Sequence, residues 1–259
     1  MNIVVCVKQV PEPTGTNRMD PNSLRIVREG IDAVLDPADE FSIEAALQII
    51  EAQGGTVTVV SMGPTRAAEA IRRGLAMGAT QGIHISDPAL SGSDALTTAK
   101  VLAAAIKRTN PDLVLCATES SDAYTGMVPG GIAHFLGLPQ LTFAKKLTVA
   151  NGKATIQRQI EGGYQTVEAA LPALVTVTGS INTPRYPALK GIMQAKKKPV
   201  EQLTAADLGF GPDEVGQKGA KERVLGWQPA EQRKAGQVVK DDGTAATVIA
   251  DYLASIKVI

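Results

Sequence analysis

The chain has 259 residues, 44% of them hydrophobic and only 3% aromatic, with 26 Lys+Arg set against 26 Asp+Glu. That allows one large α/β domain, or a domain with appendages, and its core must be built from Val, Ile, Leu and Ala. The balanced charge argues against a general nucleic-acid binder. No apolar run approaches the roughly 20 residues that cross a bilayer, so no membrane insertion is expected.

In chain order, Ile3 to Val7 is a β-branched run and reads as the central first strand. Its start at Asn2 or Ile3 leaves no room for a signal or transit peptide, and a cytoplasmic protein is expected. Cys6 and Cys116 both lie in apolar strand-like runs, which favours buried, reduced thiols over a disulfide. Two cysteines and two histidines, none in a close pair, argue against a zinc site. The first strand empties into Lys8-Gln9-Val10-Pro11, a Pro-rich loop and not a Gly-rich phosphate cradle. Residues 12–35 carry mixed signals, and little regular structure is expected there.

Asp36-Pro37-Ala38-Asp39-Glu40 starts a helix with Ile43, Ala46, Leu47 and Ile50 on one face, and Gly54-Gly55 stops it. A strand over Thr56–Val60 ends in Ser61-Met62-Gly63-Pro64. A second helix over about Thr65–Met77 turns Ala68, Ile71 and Leu75 inward. Ile83-His84-Ile85 is a short strand whose histidine reads as structural. Ser93 opens a third helix with Leu96, Ala99, Ala103 and Ile106 on one stripe. Leu113–Cys116 has the length and branching of a buried parallel strand. A polar loop with Ser120, Ser121, Asp122 and Thr125 follows, then a fourth helix with Val128, Ile132, Phe135 and Leu136 on one face. Four β-then-α units in succession imply a parallel sheet with right-handed crossovers.

From Thr142 the pattern changes. Asn151-Gly152 between two strand-like runs is a strong hairpin signal, and Gly162-Gly163 makes a second turn before Thr166–Leu171. Leu174–Val177 is again a buried-type strand. Pro184-Arg185-Tyr186-Pro187 is a constrained loop, and Ile192–Lys198 a short apolar anchor with a basic end. Residues 208–244 are rich in Gly and charge and cannot bury enough surface to fold alone. Helical spacing returns over 245–258 through Ala246, Ile249, Tyr252 and Leu253, so the tail is either a flexible linker to a terminal helix or, the favoured reading, an arm that orders against a partner.

Two stretches could carry chemistry, and each has a plain structural alternative. Asp36, Asp39, Glu40 and Glu44 suit the positive end of a helix dipole, or they line a ligand pocket. Pro111–Pro139 is either a capped strand-to-helix connection or a ligand loop beyond a strand's carboxyl end, where helix N-termini present free N–H groups. Lys196–Lys198 on their own read as a solvated face. There is no Gly-x-Ser-x-Gly elbow, His-Glu-x-x-His helix or Walker-type loop.

Several longer motifs point one way. The run from Arg158-Gln159-Ile160-Glu161-Gly162-Gly163 through Gln165, Val167, Pro172 and Val175 to Thr176 closely resembles the signature of the electron transfer flavoprotein β subunit. So do Val7-Lys8-Gln9-Val10, Asp36-Pro37 with Glu40 and Glu44-Ala45, Gly63-Pro64, Ala76-Met77-Gly78-Ala79 and Leu138-Pro139-Gln140. Asn182 with Pro184-Arg185-Tyr186, and Ile192-Met193 with Ala195 to Lys198, is similar to that family's partner-recognition loop. The resemblance covers roughly residues 1–210.

The resemblance implies an open, twisted, mainly parallel α/β sheet with flanking helices, of the adenine-nucleotide α-hydrolase-like type. It carries a small antiparallel excursion and an extended C-terminal arm. Residues 1–200 would form the nucleotide-binding domain, with the excursion at 142–171 and the recognition loop at 182–198. Residues 201–259 would form the arm, its terminal helix packing on the partner subunit. The implied protein is an electron carrier and not an enzyme. It is one half of a heterodimer whose redox FAD lies mainly in the α subunit, and it buries AMP as a structural nucleotide. The complex would accept electrons from acyl-CoA and related dehydrogenases, as in fatty acid oxidation, and pass them to a quinone oxidoreductase. Chemistry belongs to the flavin.

Carried over by position, the nucleotide pocket comprises Cys6, Asp36, Pro37, Ala38, Asp39, Met62, Ala117, Asp122, Tyr124, Thr125, Gly126, Met127 and Val128. The phosphate would sit on main-chain N–H groups of Gly126 to Val128. The partner-binding set is Leu189, Ile192, Met193, Lys196, Lys197 and Lys198, with Leu189 as the apolar anchor. The family usually has Gln and Gly where this chain has Met127 and Pro129, which removes a side-chain amide from the phosphate. Some relatives bind a second FAD in place of AMP and bifurcate electrons, but this loop does not match their common pattern. A stand-alone stress-type nucleotide sensor would lack the Pro184–Lys198 loop. An ATP pyrophosphatase of the same fold would need a Ser-Gly-Gly loop in place of Lys8–Pro11.

Overall fold

The computed structural model describes residues 1–13, 18–229, 236 and 238–259. Contacts divide them into a unit Met1–Val224 and a unit Leu225–Ile259. The first opens with β1 (Asn2–Cys6), β2 (Gln9–Pro11), β3 (Met19–Asp20), β4 (Arg25–Ile26), β5 (Ala33–Leu35) and helix α1 (Pro37–Gln53). It continues through β6 (Thr56–Met62), α2 (Ala68–Met77), β7 (Gln81–Ile85), α3 (Ala95–Lys107), β8 (Leu113–Ala117) and α4 (Val128–Leu136). Then come β9 (Gln140–Ala150), β10 (Lys153–Ile160), β11 (Gly163–Ala170), β12 (Ala173–Val177), α5 (Leu189–Ala195), β13 (Val200–Leu203) and the single turn α6 (Gly216–Gly219). The second unit contains α7 (Ala245–Ser255), whose apolar residues Val248, Ile249 and Tyr252 are exposed.

Local chemistry sets these boundaries. Asp36 caps α1 by accepting the Ala38 N–H at 3.0 Å, Pro37 occupies the first turn where its missing donor costs nothing, and Gly54 at φ 76° ends the helix. Asp94, one residue beyond the expected Ser93, caps α3 by accepting the Thr97 N–H at 2.7 Å. Asn151 and Gly152 both take positive φ, as a two-residue hairpin turn between β9 and β10 requires.

One sheet of nine strands runs in the order β11-β10-β9-β12-β8-β1-β6-β7-β13. Every pairing from β9 through β12, β8, β1, β6 and β7 to β13 is parallel. The antiparallel excursion is the β9-β10-β11 end of this same sheet. Alternate residues of β1 divide the core: Ile3 and Val5 join Ile43, Leu47, Ile71 and Leu75 under α1 and α2, while Val4 joins Ala99, Leu102, Ile106 and Ile132 under α3 and α4. Each large side chain so buried contributes about 1.5–3 kcal/mol.

Three stretches differ from the sequence expectation. Residues 12–35 contain the β3–β4 hairpin, and β5 pairs back to β2, in ladders of two and three residues too short to carry a periodic signal. A 3₁₀ turn, Thr65–Ala67, precedes α2. Residues 201–224, expected as the start of the arm, lie in the first unit, where Glu201 to Leu203 extend the sheet and Val215 is buried. Hydrogen bonds hold them: Ser93 Oγ accepts the Gly216 N–H at 3.0 Å, and Asp94 accepts the Lys221 and Glu222 N–H groups. Arm residues 230–235 and 237 lie outside the described residues. Among those described, no helix is long and apolar enough to cross a membrane.

Candidate functional site

At the carboxyl ends of β1 and β8 the chain leaves the sheet beside the start of α1. The Asp36 N–H donates to the Lys8 carbonyl at 2.9 Å and the Lys8 N–H to Asp39 at 2.7 Å, which locks the exit of β1 to the first turn of α1. The second Asp36 oxygen accepts the Ser121 N–H at 2.7 Å and ties the β8–α4 loop to the same turn. Asp122, its side chain 1% exposed, sits between two cations: Lys8 Nζ at 2.6 Å on one oxygen and Arg28 at 2.5 Å on the other. Lys8 Nζ also donates to Ser120 Oγ at 3.1 Å.

These contacts set the charges. Burial opposes ionisation of Asp122, but the Lys8 ammonium, then the Arg28 and Ser120 hydrogen bonds, outweigh it and hold the carboxyl below its usual range. Asp39 goes the other way: burial first, and Asp36 beside it second, push its carboxyl well above the ordinary value. The Cys116 thiol is pushed up by its hydrogen bond with Cys6 and by burial, which favours the neutral thiol. Among the described residues, no group of three His, Cys, Asp or Glu could hold a metal ion.

Cys6, Met62 and Val128 are each partly buried against the core layer under α3 and α4, and Ala117 is buried at the end of β8. Pro37 and Ala38 stand in the first turn of α1. Tyr124, Thr125, Gly126 and Met127 are exposed, with Tyr124 at φ 50° and Gly126 at φ 62°. No hydrogen bond among the described residues uses the N–H of Gly126, Met127 or Val128; the first N–H to return to this turn is that of Gly131, to the Met127 carbonyl at 3.0 Å. Free donors at a helix start suit an anionic group. Asp36 and Asp122 therefore brace the β8–α4 loop and Asp39 the exit of β1, while the loop's backbone offers the open donors.

Against the other side of the same loop lies a cleft of about 300 Å³, lined by Ala38, Phe41, Thr118, Glu119, Phe143, Val177, Thr178 and Gly179. Phe143 reaches it through a bulge where β9 shifts register against both β12 and β10. It takes φ 59°, and its N–H donates to the buried Thr176 Oγ1 at 2.9 Å. Two aromatic faces, two hydroxyls and a carboxylate at the ends of parallel strands fit a planar aromatic group with a polar edge.

The recognition segment is anchored to the middle of α1. Arg185 grips Glu44 at 2.7 Å (Nε) and 3.0 Å (Nη2), and Glu51 with both terminal nitrogens. Asn182 donates to the Phe41 carbonyl at 2.9 Å. Leu189, 74% exposed, stands at the first turn of α5, followed by exposed Ile192 and Met193. Gly191 lets α5 lie directly on α2, because a Cβ there would strike the Ala76 carbonyl. Lys196 and Lys197 are exposed, but Lys198 turns inward to donate to the Leu75 and Ala79 carbonyls at 2.9 and 2.6 Å. It caps the end of α2, as a cation there should, and burial holds its ammonium below the usual range.

Sequence reasoning did not find Arg28, Phe143 or the Arg185–Glu44 grip. Lys8 and Arg185 lie within the family-like motifs, a signal that points to them; Phe41 follows directly after the Asp36–Glu40 run. Arg28 carries no local signal at all.

The family model described as the electron transfer flavoprotein domain matches residues 23–208. Electron transfer flavoprotein subunit beta of Mycobacterium bovis is 43% identical across 100% of this chain and 99% of its own. The protein of the same description from Thermoanaerobacterium thermosaccharolyticum is 40% identical over 92% of each chain. The caffeyl-CoA reductase-Etf complex subunit CarD of Acetobacterium woodii is 36% identical over 98% of this chain and 97% of its own. By its motifs, its sheet and these full-length likenesses, the chain belongs to the electron transfer flavoprotein β-subunit family.

Proposed function

We propose that this chain pairs with an α subunit that holds most of a redox FAD, keeps AMP at the end of β8, and offers α5 to electron donors. The observation that carries this reading is the pairing of two surfaces on one scaffold. The β8–α4 loop leaves backbone donors free beside the aromatic cleft, and the Arg185 grip holds an exposed leucine-bearing helix nearby in the chain. When bound, the flavin supplies the electron transfer. This chain's own residues bind and orient: Phe41 and Phe143 offer a dry face to an aromatic ring edge, and the N–H groups of Gly126 to Val128 receive the nucleotide phosphate. Leu189, Ile192 and Met193, with Lys196 and Lys197 beside them, form a small docking patch for acyl-CoA and related dehydrogenases, as in fatty acid oxidation. A small patch suits a cytoplasmic carrier that must leave its donor to reach a quinone oxidoreductase. Lys198 supports that patch from below.

Co-expression with an α subunit should give a yellow heterodimer, while this chain alone is colourless. Denaturing the heterodimer should release one FAD and one AMP. Two FAD and no AMP would instead favour a bifurcating carrier, a reading supported by the likeness to the Acetobacterium woodii subunit of a caffeyl-CoA reductase-Etf complex.

A further inference from the structure

The β3–β4 hairpin is closed by its own backbone, with the Leu24 N–H on the Asp20 carbonyl at 2.9 Å and the Val27 N–H on the Arg18 carbonyl at 2.8 Å. Arginines tie it down on both sides. Arg25 donates to Ser91 Oγ at 3.4 Å and Gln217 Oε1 at 3.3 Å, in the space that a side chain at Gly92 would occupy. Three residues on, Arg28 crosses to Asp122. Residues 18–28 thus form a strap running from α6 and the turn before α3 to the β8–α4 loop.

Three side chains from elsewhere in the chain reach that loop: Asp36 on the Ser121 N–H, Lys8 on Ser120 Oγ and Asp122, and Arg28 on Asp122. The first two come from the frame of β1 and α1; the third comes from the strap. Without Arg28, one oxygen of an almost fully buried carboxylate loses its partner. An uncompensated buried acceptor is costly, and the readiest relief is for the loop to swing out and hydrate it.

We propose that Arg28 is a positioning residue for the nucleotide site: through Asp122 it latches the 118–128 loop, and nucleotide leaves only when the strap lifts. The proposal rests on the reading that this loop holds AMP. The test loads the α/β heterodimer with radiolabelled AMP and follows its exchange against unlabelled AMP. Arg28→Ala should speed exchange about tenfold or more, whereas Arg28→Lys, which keeps a cation for Asp122, should stay within about threefold of the parent. Arg25→Ala frees the strap's other side with Asp122 still paired, and should give an intermediate rate. Backbone hydrogen exchange over 118–127 should rise in the same order. A parent-like rate in Arg28→Ala and Arg25→Ala complexes that retain AMP overturns the latch while leaving the nucleotide site standing. A parent heterodimer that holds no AMP overturns the nucleotide reading, and the latch falls with it.

Discussion

The β8–α4 loop and the recognition segment are both tied to α1 by carboxylates, yet they present opposite chemistry. Near its start, α1 binds Ser121 and Lys8 through Asp36 and Asp39, and the loop so held turns backbone donors outward. Half-way along, it binds Arg185 through Glu44 and Glu51, and the segment so held turns Leu189, Ile192 and Met193 outward. The first set of ties is part-buried and made of single bonds, one backbone N–H on Asp36 Oδ2 and one on Asp39 Oδ2. The second is a four-bond fork in which Arg185 remains 35% exposed. A pocket that encloses a ligand needs its wall charges neutralised internally. A docking platform needs a stiff base that survives repeated partner exchange, and a multidentate guanidinium gives that stiffness without burying the platform.

The sharpest way to break this contrast is at Arg185. Glu44, its side chain 5% exposed, would be left without its counter-charge. Breaking a fully buried pair costs about 3–5 kcal/mol, and the partial exposure of the arginine reduces that here to roughly 2 kcal/mol. Arg185→Ala should therefore lower the urea midpoint, and adding Glu44→Gln should recover part of the loss. The pH dependence follows from direction: burial raises the Glu44 carboxyl, but the Arg185 hydrogen bonds outweigh it and hold it below 4.5. Its contribution is present above the ordinary carboxylate range and is lost as pH falls through the lowered value. The gap between parent and variant should then close under acid conditions; a gap that persists there would remove Glu44 from the account.

A smaller effect on a different readout is expected at Leu189. It is exposed, so Leu189→Ala should leave the urea midpoint within about 0.5 kcal/mol of the parent. As a docking anchor, its loss should slow reduction of the heterodimer by a dehydrogenase about tenfold with no change in flavin content. Unchanged reduction rates would leave α5 as a helix that only covers α2.

How far the sequence discloses these two regions depends on the range of the forces involved. Leu113 to Ala117 and the Asp36-Pro37 start of α1 are legible because burial pattern and capping act within a few residues. The end of β8 as a ligand position follows from the parallel order of the strands. The Arg28–Asp122 contact spans 94 residues and leaves no periodic trace. Phe143 looks like an ordinary strand residue until a bulge re-aims it. Lys198 reads as the last of three surface lysines, and only the position of α2 shows that its ammonium is spent on two carbonyls. The order of residues 205–222 is likewise invisible, because backbone hydrogen bonds to the distant side chains of Asp87, Ser93 and Asp94 hold them and leave no local periodic signal.

The subtlest test lies at Asp39, where the first turn of α1 carries a buried carboxyl. Burial, then the neighbouring Asp36, raises this carboxyl well above 3.8, while the Lys8 N–H and ammonium pull weakly the other way. In the unfolded chain Asp39 titrates at its ordinary value. Between that value and the raised one, the folded chain holds a proton that the unfolded chain lacks. The Asp39 contribution to stability therefore falls as pH rises through this window and stays low above it. This is opposite in sign to Glu44, as the contrast between a buried carboxyl and a charged fork requires. Asp39→Asn keeps an oxygen for the Lys8 N–H but never ionises. It should stabilise the chain by about 1 kcal/mol at pH 8, with the gain fading towards pH 4. Urea midpoints across that range decide the matter: an equal loss at every pH would mean that Asp39 acts through its hydrogen bond alone, and that the first turn of α1 carries no stored charge cost.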